Sequence, residues 1–281
     1  MRVDRAPARP VYFCAEMAVR NSKSADVRRP DRGWLSWFLG SAEWPEGYFA
    51  QSRSLALSFV LIAPLLLLYE FALAVYPPAK ATGAGRFLRE LVTAGFHTRP
   101  GMVLNILVVV CLCVAVFLLA RRGRLRLGFL VPMVIESVLW AGALFGIAVI
   151  ICRRANSARV DFAGGLGATV QEIIGSVGAG VYEEILFRLL LTSVLYYAGL
   201  KLFGERRLPA GLFAVVFGAV VFAGAHVLAR GAVPLDQTGG QLYLAFYLAS
   251  GVLFSMIYMG RGLGVAVYSH VFYDVAVVFF G

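Results

Sequence analysis

The chain has 281 residues, of which 60% are hydrophobic and only 15% charged, and its mean hydropathy is +0.77. Soluble domains carry about half apolar residues, so this composition excludes a water-soluble globular protein and a disordered one, and it points to an integral membrane protein. A formal charge of +10 does not imply nucleic acid, because the Lys and Arg gather in short segments beside apolar runs, where they set orientation in a bilayer.

Residues 1–50 scatter Arg and Asp among Pro and Ala with no apolar h-region or cleavage pattern, and they read as a cytoplasmic, partly interfacial segment rather than a signal peptide. Trp34, Trp37, Phe38, Trp44 and Tyr48 at its end form an aromatic belt suited to headgroup depth, with a short surface helix predicted there. Apolar windows follow at residues 55–76, 102–120, 131–152, 166–200, 210–228, 241–259 and 264–280. Each is long enough to cross about 30 Å of hydrocarbon. The predicted fold is all-α: a polytopic transmembrane helix bundle of seven to eight spans over residues 51–281, behind the short interfacial segment. The alternative count arises at residues 166–200, which exceed one crossing of about 20 residues. Gly175, Gly178 and Gly180 there permit a bend or a short preceding helix. With the N-terminus inside, seventeen basic residues fall on the inner side and eight on the outer, with Arg188 left within the membrane. Cys14, Cys111, Cys113 and Cys152 match neither a disulfide framework nor a zinc motif.

Polar groups at depth are few. They are Glu172, Glu183, Glu184 and Arg188 on the fourth window, His226 on the fifth, and His270 with Asp274 on the last. An ionisable side chain at the bilayer centre costs roughly 2.5–3.5 kcal/mol on insertion scales, so such residues line cavities, pair with one another or do chemistry. Glu184 and Arg188 are i and i+4 with the acid first, the better order for an ion pair, whereas Glu183 points about 100° away and is left available. The same spacing puts Phe222 with His226, and His270 with Asp274, on shared helix faces. Single residues of this kind often only join helices, at roughly 0.6–2 kcal/mol per contact, but this set on three spans exceeds what joining requires. Glu70, Glu136 and Glu172 are read as span-end residues within reach of water and are given no role.

Glu183-Glu184-x-x-x-Arg188, Phe222-x-x-x-His226 and His270-x-x-x-Asp274, in that order on separate apolar segments between residues 181 and 274, resemble the CPBP family of intramembrane proteases. That family includes the CAAX prenyl proteases related to Rce1 and bacterial bacteriocin-processing or immunity (Abi) members. The resemblance implies that Glu183 acts as general base with His226 to activate water, and that His270 stands at the oxyanion. Where the family commonly has asparagine, this chain has Asp274. An ionised carboxylate repels an oxyanion, so orientation of His270 is the role expected of it. Glu184, Arg188 and Phe222 are supporting residues in this reading. Peptide hydrolysis of this kind needs a base, a donor to the carbonyl oxygen and a proton for the leaving amine, and no serine or cysteine nucleophile.

Members of the family have also been described as metalloproteases, and Glu183, His226 and His270 are the residues that would hold Zn²⁺ in such a mechanism. No His-Glu-x-x-His pair occurs on one helix, and the metal-free glutamate mechanism is the preferred expectation. Two other classes explain charge at depth: a proton-coupled transporter, and a non-catalytic immunity or scaffold protein of the same fold. The halves carry no convincing duplication of the kind transporters show. The expected partners are membrane lipid and a protein or peptide substrate with a membrane-embedded or lipid-anchored segment, with no nucleic acid. A bacterial inner membrane is the expected setting. With the N-terminus inside, His226 lies near the outer end of its span, so the site is expected to open to the extracytoplasmic side.

Overall fold

The computed structural model describes residues 47–76, 83–96, 100–121, 127–154, 166–229 and 235–280, and every regular element among them is helical. Trp34, Trp37, Phe38 and Trp44 lie outside these residues. The elements are α1 (Tyr48–Ser52), α2 (Leu55–Val75), α3 (Gly83–Phe96), α4 (Pro100–Arg121), α5 (Leu130–Arg154, behind a 3₁₀ turn at Leu127–Phe129), α6 (Leu166–Glu183), a π-helical stretch (Glu184–Thr192), α7 (Ser193–Leu202), α8 (Arg207–Ala229), α9 (Thr238–Arg261) and α10 (Leu263–Phe280). Among the described residues seven stretches are long and apolar enough to cross a bilayer, and α6, the π stretch and α7 together make one of them, Val170–Leu202. Helices suit this environment because each satisfies its own backbone hydrogen bonds where no water can. The chain is thus a polytopic helical bundle. The long fourth window is broken by the π stretch that starts at Glu184, beyond the glycines.

The centre of the bundle is α10, with half of its apolar window buried, against 39% or less for the other six spans. It packs on α2, α5, α6, α9 and the π stretch. Small residues bring the rods together, as expected where lipid offers no hydrophobic drive between helices. A Cβ on Gly180 of α6 would stand 2.5 Å from Val271 Cγ2 and 2.9 Å from the Val271 backbone nitrogen on α10. A Cβ on Gly251 of α9 would stand 2.8 Å from Ala219 Cα on α8. The turn from α9 to α10 passes through Gly262 at φ +94°, with Ser52 O only 2.7 Å from where a Cβ would be, so conformation and space both require glycine.

One end of the bundle is fastened by a partly buried ion pair. Arg261 donates through Nε and Nη2 to the two Glu136 oxygens at 2.5 and 2.7 Å, and Tyr48 Oη and Trp140 Nε1 donate to the same carboxylate at 2.6 and 3.2 Å. Two sequence expectations are corrected here. Tyr48 is 1% exposed and packs on Phe129, so it belongs to the core rather than to an interfacial belt. Burial and the adjacent carboxylate push its phenol up from the usual range. Glu136 is a ligand of Arg261 rather than a water-facing span end, because a carboxylate with four donor contacts needs no solvent.

Candidate active site

Four elements bring the polar residues of the three motifs to one place. Glu183 ends α6 and Glu184 opens the π stretch, while His226 lies in the last turn of α8 and His270 and Asp274 sit on α10. The helix changes character where the chemistry-bearing residues begin, which is where π segments are often found. Thr192 Oγ1 donates to the Phe187 carbonyl at 2.8 Å near its end. The contact of Gly180 with Val271 sets α6 close enough to α10 for Glu184 Oε1 to lie 2.8 Å from His270 Nδ1.

Glu183 and His226 face each other, with Oε2 to Nε2 at 3.4 Å. The imidazole of His226 is fixed from several directions. Its Nδ1 lies 2.9 Å from the Phe222 carbonyl, which only accepts, so Nδ1 carries a proton and donates. In the neutral ring Nε2 is then an acceptor facing a carboxylate oxygen. Tyr247 stacks on the imidazole at 4.2 Å and 23°, and the Phe222 ring lies at 4.3 Å. Tyr243 Oη donates to the His226 carbonyl at 3.4 Å.

His270 is held differently. Glu184 takes Nδ1, Phe254 stacks on the ring at 4.6 Å, and Asp274 Oδ2 stands 3.6 Å from Nε2, longer than a hydrogen bond. The orienting contact expected from Asp274 is therefore made by Glu184, and Asp274 faces the other nitrogen within charge range. Glu184 is 0% exposed and its second oxygen meets Arg188 Nε at 3.3 Å. The i, i+4 pairing expected for these two is present, and Glu184 serves Arg188 and His270 together. Arg188 is 1% exposed, and none of its guanidinium nitrogens has a hydrogen bond among the described residues. Its charge lies over the rings of Phe222 at 4.1 Å and Phe254 at 5.3 Å, which gives Phe222 a physical reason to accompany the arginine.

The side chains of Glu183, His226 and Asp274 keep 13%, 21% and 26% of their surface exposed, so the mouth of the site lies on their side and the Glu184–Arg188 pair forms its floor. Among the described residues no three His, Cys, Asp or Glu side chains are grouped as a metal ion requires. His270 has Nδ1 engaged by Glu184 and His226 has Nδ1 engaged by a carbonyl, which leaves Nε2 of each ring facing the carboxylates of Asp274 and Glu183.

Sequence reasoning missed several neighbours. Tyr247 and Phe254 sit in an apolar run of α9 where nothing distinguishes them from lipid-facing aromatics. Glu70, read as a span-end residue, is 3% exposed: Tyr182 Oη donates to its Oε1 at 2.6 Å, and Arg89 Nη2 donates to its Oε2. A carboxylate six residues inside the end of an apolar helix, followed by an arginine on the next helix, was the available signal. Glu172 is half-buried on α6 and stays outside the site.

No curated protein and no solved structure matches the chain. Residues 165–276, from the start of α6 into α10 and including all three motifs, match the family model of type II CAAX prenyl endopeptidases of the Rce1-like kind.

Proposed function

We propose that the protein is an intramembrane endopeptidase in which Glu183 and His226 activate a water molecule against a peptide bond of a membrane-embedded or lipid-anchored substrate. The family supplies the general class, a CAAX-type endopeptidase acting on a membrane-associated peptide. The observation that carries the finer reading is the Glu183–His226 pair: a carboxylate oxygen 3.4 Å from the Nε2 of a ring whose Nδ1 is held by a carbonyl, placed so that one water beside the pair is in reach of the carboxylate as base.

The reaction follows from these positions. Glu183 takes a proton from the water as its oxygen attacks the scissile carbonyl carbon. Negative charge develops on the carbonyl oxygen, and the Nε2–H of His270 as an imidazolium, whose Nδ1–H donates to Glu184, is the donor we assign to it. Collapse of the tetrahedral intermediate breaks the C–N bond, and the proton held by Glu183 passes to the departing amine. Asp274 stands 3.6 Å from the same nitrogen, within charge range of the ring but beyond hydrogen-bond distance. No step requires a metal ion.

The N-in orientation puts the mouth, near the outer end of α8, on the extracytoplasmic side, and short loops together with the family agree with a bacterial inner membrane. Substrates then carry their scissile bond near the outer leaflet. The test is purified protein in liposomes with lipid-anchored quenched-fluorescent peptides. Cleavage that disappears in Glu183→Gln supports the enzyme, whereas solute counterflow without cleavage supports a transporter. Activity lost to chelators and restored by zinc alone would refute the metal-free mechanism.

A further inference from the structure

Glu183 has two oxygens, and only Oε2 is turned to His226. The other, Oε1, faces the start of α3: a Cβ built on Gly83 would stand 3.3 Å from it. Gly83 has φ +48°, so this turn both requires glycine and leaves empty the volume beside the carboxylate that any side chain would fill. We propose that the first turn of α3 is a wall of the reaction site, and that Gly83 leaves the room in which the substrate residue beside the scissile bond must fit. The proposal rests on Glu183 being the base, since a reacting carbonyl has to come within about 3–3.5 Å of the attacking water to react efficiently.

α3 is not loosely apposed. Arg89, under two turns along, donates to Glu70 Oε2, and Glu70 Oε1 accepts from Tyr182, the residue directly before Glu183. Gly85 closes on the same place, its Cβ position lying 3.2 Å from both the Tyr182 ring and the Tyr69 hydroxyl. One buried carboxylate on α2 therefore ties α3 to the end of α6. The opposite face of α3 shows Phe87 and Leu91, 52% and 59% exposed, as a helix with one side to lipid would. A buried ion pair at this depth is costly, and none of Glu70, Arg89 and Gly83 lies in the segment matched to the family, so the wall is a feature of the N-terminal half of this chain.

The test uses the full chain in liposomes with lipid-anchored quenched-fluorescent peptides that differ only in the residues flanking the cleaved bond. Gly83→Ala is expected to lower kcat/KM by about 10-fold or more for peptides with Leu or Phe beside the bond, the discrimination a pocket of altered size gives, while Gly-flanked peptides change by about twofold or less. Gly95→Ala, on the same helix with nothing within 4 Å, is expected to change no peptide selectively. Gly83→Asn repeats the measurement in a residue that tolerates positive φ, so a fold lost in the alanine variant does not remove the test. Equal losses across the series, or none, in the folded variant overturn the proposal. Failure of the underlying reading looks different: Glu183→Gln would then cleave like the wild type. Hydrogen exchange in nanodiscs tests the tie without substrate. The α3 amides are expected to be protected, and to exchange about 10-fold faster or more in Arg89→Gln. Wild-type amides exchanging like an open loop, or unchanged in the variant, overturn the wall.

Discussion

Gly180→Ala perturbs the helix contact that sets the site without touching a polar residue. The new methyl would lie 2.9 Å from the Val271 backbone nitrogen and 3.2 Å from its Cα, and a backbone cannot rotate aside as the Val271 methyl can. Ordinary contact requires about 3.4 Å or more, so α6 and α10 must part by roughly half an ångström. The Glu184–His270 bond, now 2.8 Å, stretches by a similar amount to the edge of hydrogen-bonding range. Overpacking of this kind costs about 1–3 kcal/mol of stability. Misplacement by about 1 Å can cost 10²-fold in rate, so half of that predicts a loss of about 10-fold in kcat. Gly175→Ala is the control on the same helix: nothing lies within 4 Å of its Cβ position, and replacing a mid-helix glycine by alanine gains up to about 1 kcal/mol. The assay is cleavage in liposomes beside reversible unfolding in mixed micelles. A Gly180→Ala protein as active and stable as Gly175→Ala would refute the inference that this contact positions the site.

Arg261→Met leaves the partly buried Glu136 without its bidentate partner and is expected to cost about 2–3 kcal/mol, below the range for a fully buried pair because Tyr48 and Trp140 still donate to it, with Glu136→Gln/Arg261→Met recovering much of it in the same unfolding assay. Phe222→Leu removes the ring under Arg188 and one face of the His226 clamp; about 1–2 kcal/mol of stability and a fall in kcat with little change in KM are expected. Asp274→Asn keeps a polar group facing His270 and removes a charge that opposes the oxyanion, so activity is expected to hold or rise, whereas Asp274→Leu lowers it. For orientation, cysteines introduced at Arg124 and Arg230 in a cysteine-free background should be labelled by an impermeant reagent from inside and outside respectively; the reverse pattern would turn the mouth to the cytoplasm.

The spans were legible because hydrocarbon thickness imposes a length on apolar windows, and the seven helical stretches match the predicted windows closely. The i, i+4 pairs were legible for a similar reason: Glu184 with Arg188 and His270 with Asp274 share a face by helical geometry alone. What spacing along one helix cannot express is contact between helices. Glu184 reaching His270, Tyr247 lying on His226 and the start of α3 approaching Glu183 depend on how close the rods approach, which small residues such as Gly180 decide. Glu70 and Glu136 were misread because a carboxylate near the end of an apolar run looks solvated until its partner, Arg89 or Arg261, is seen to fold onto it. The π stretch had no sequence signature, since propensity does not distinguish a wider turn.

The claim on which the account depends is that Glu183 and His226 serve one water molecule, and a kinetic double-mutant cycle addresses it directly. Glu183→Gln alone is expected to lower kcat by about 10³-fold, within the range for loss of a general base, and adding His226→Gln to that variant should cost almost nothing more, because residues acting as a unit are not additive. Multiplying losses in the double variant, or a Glu183→Gln enzyme within about 10-fold of the wild type, would contradict it.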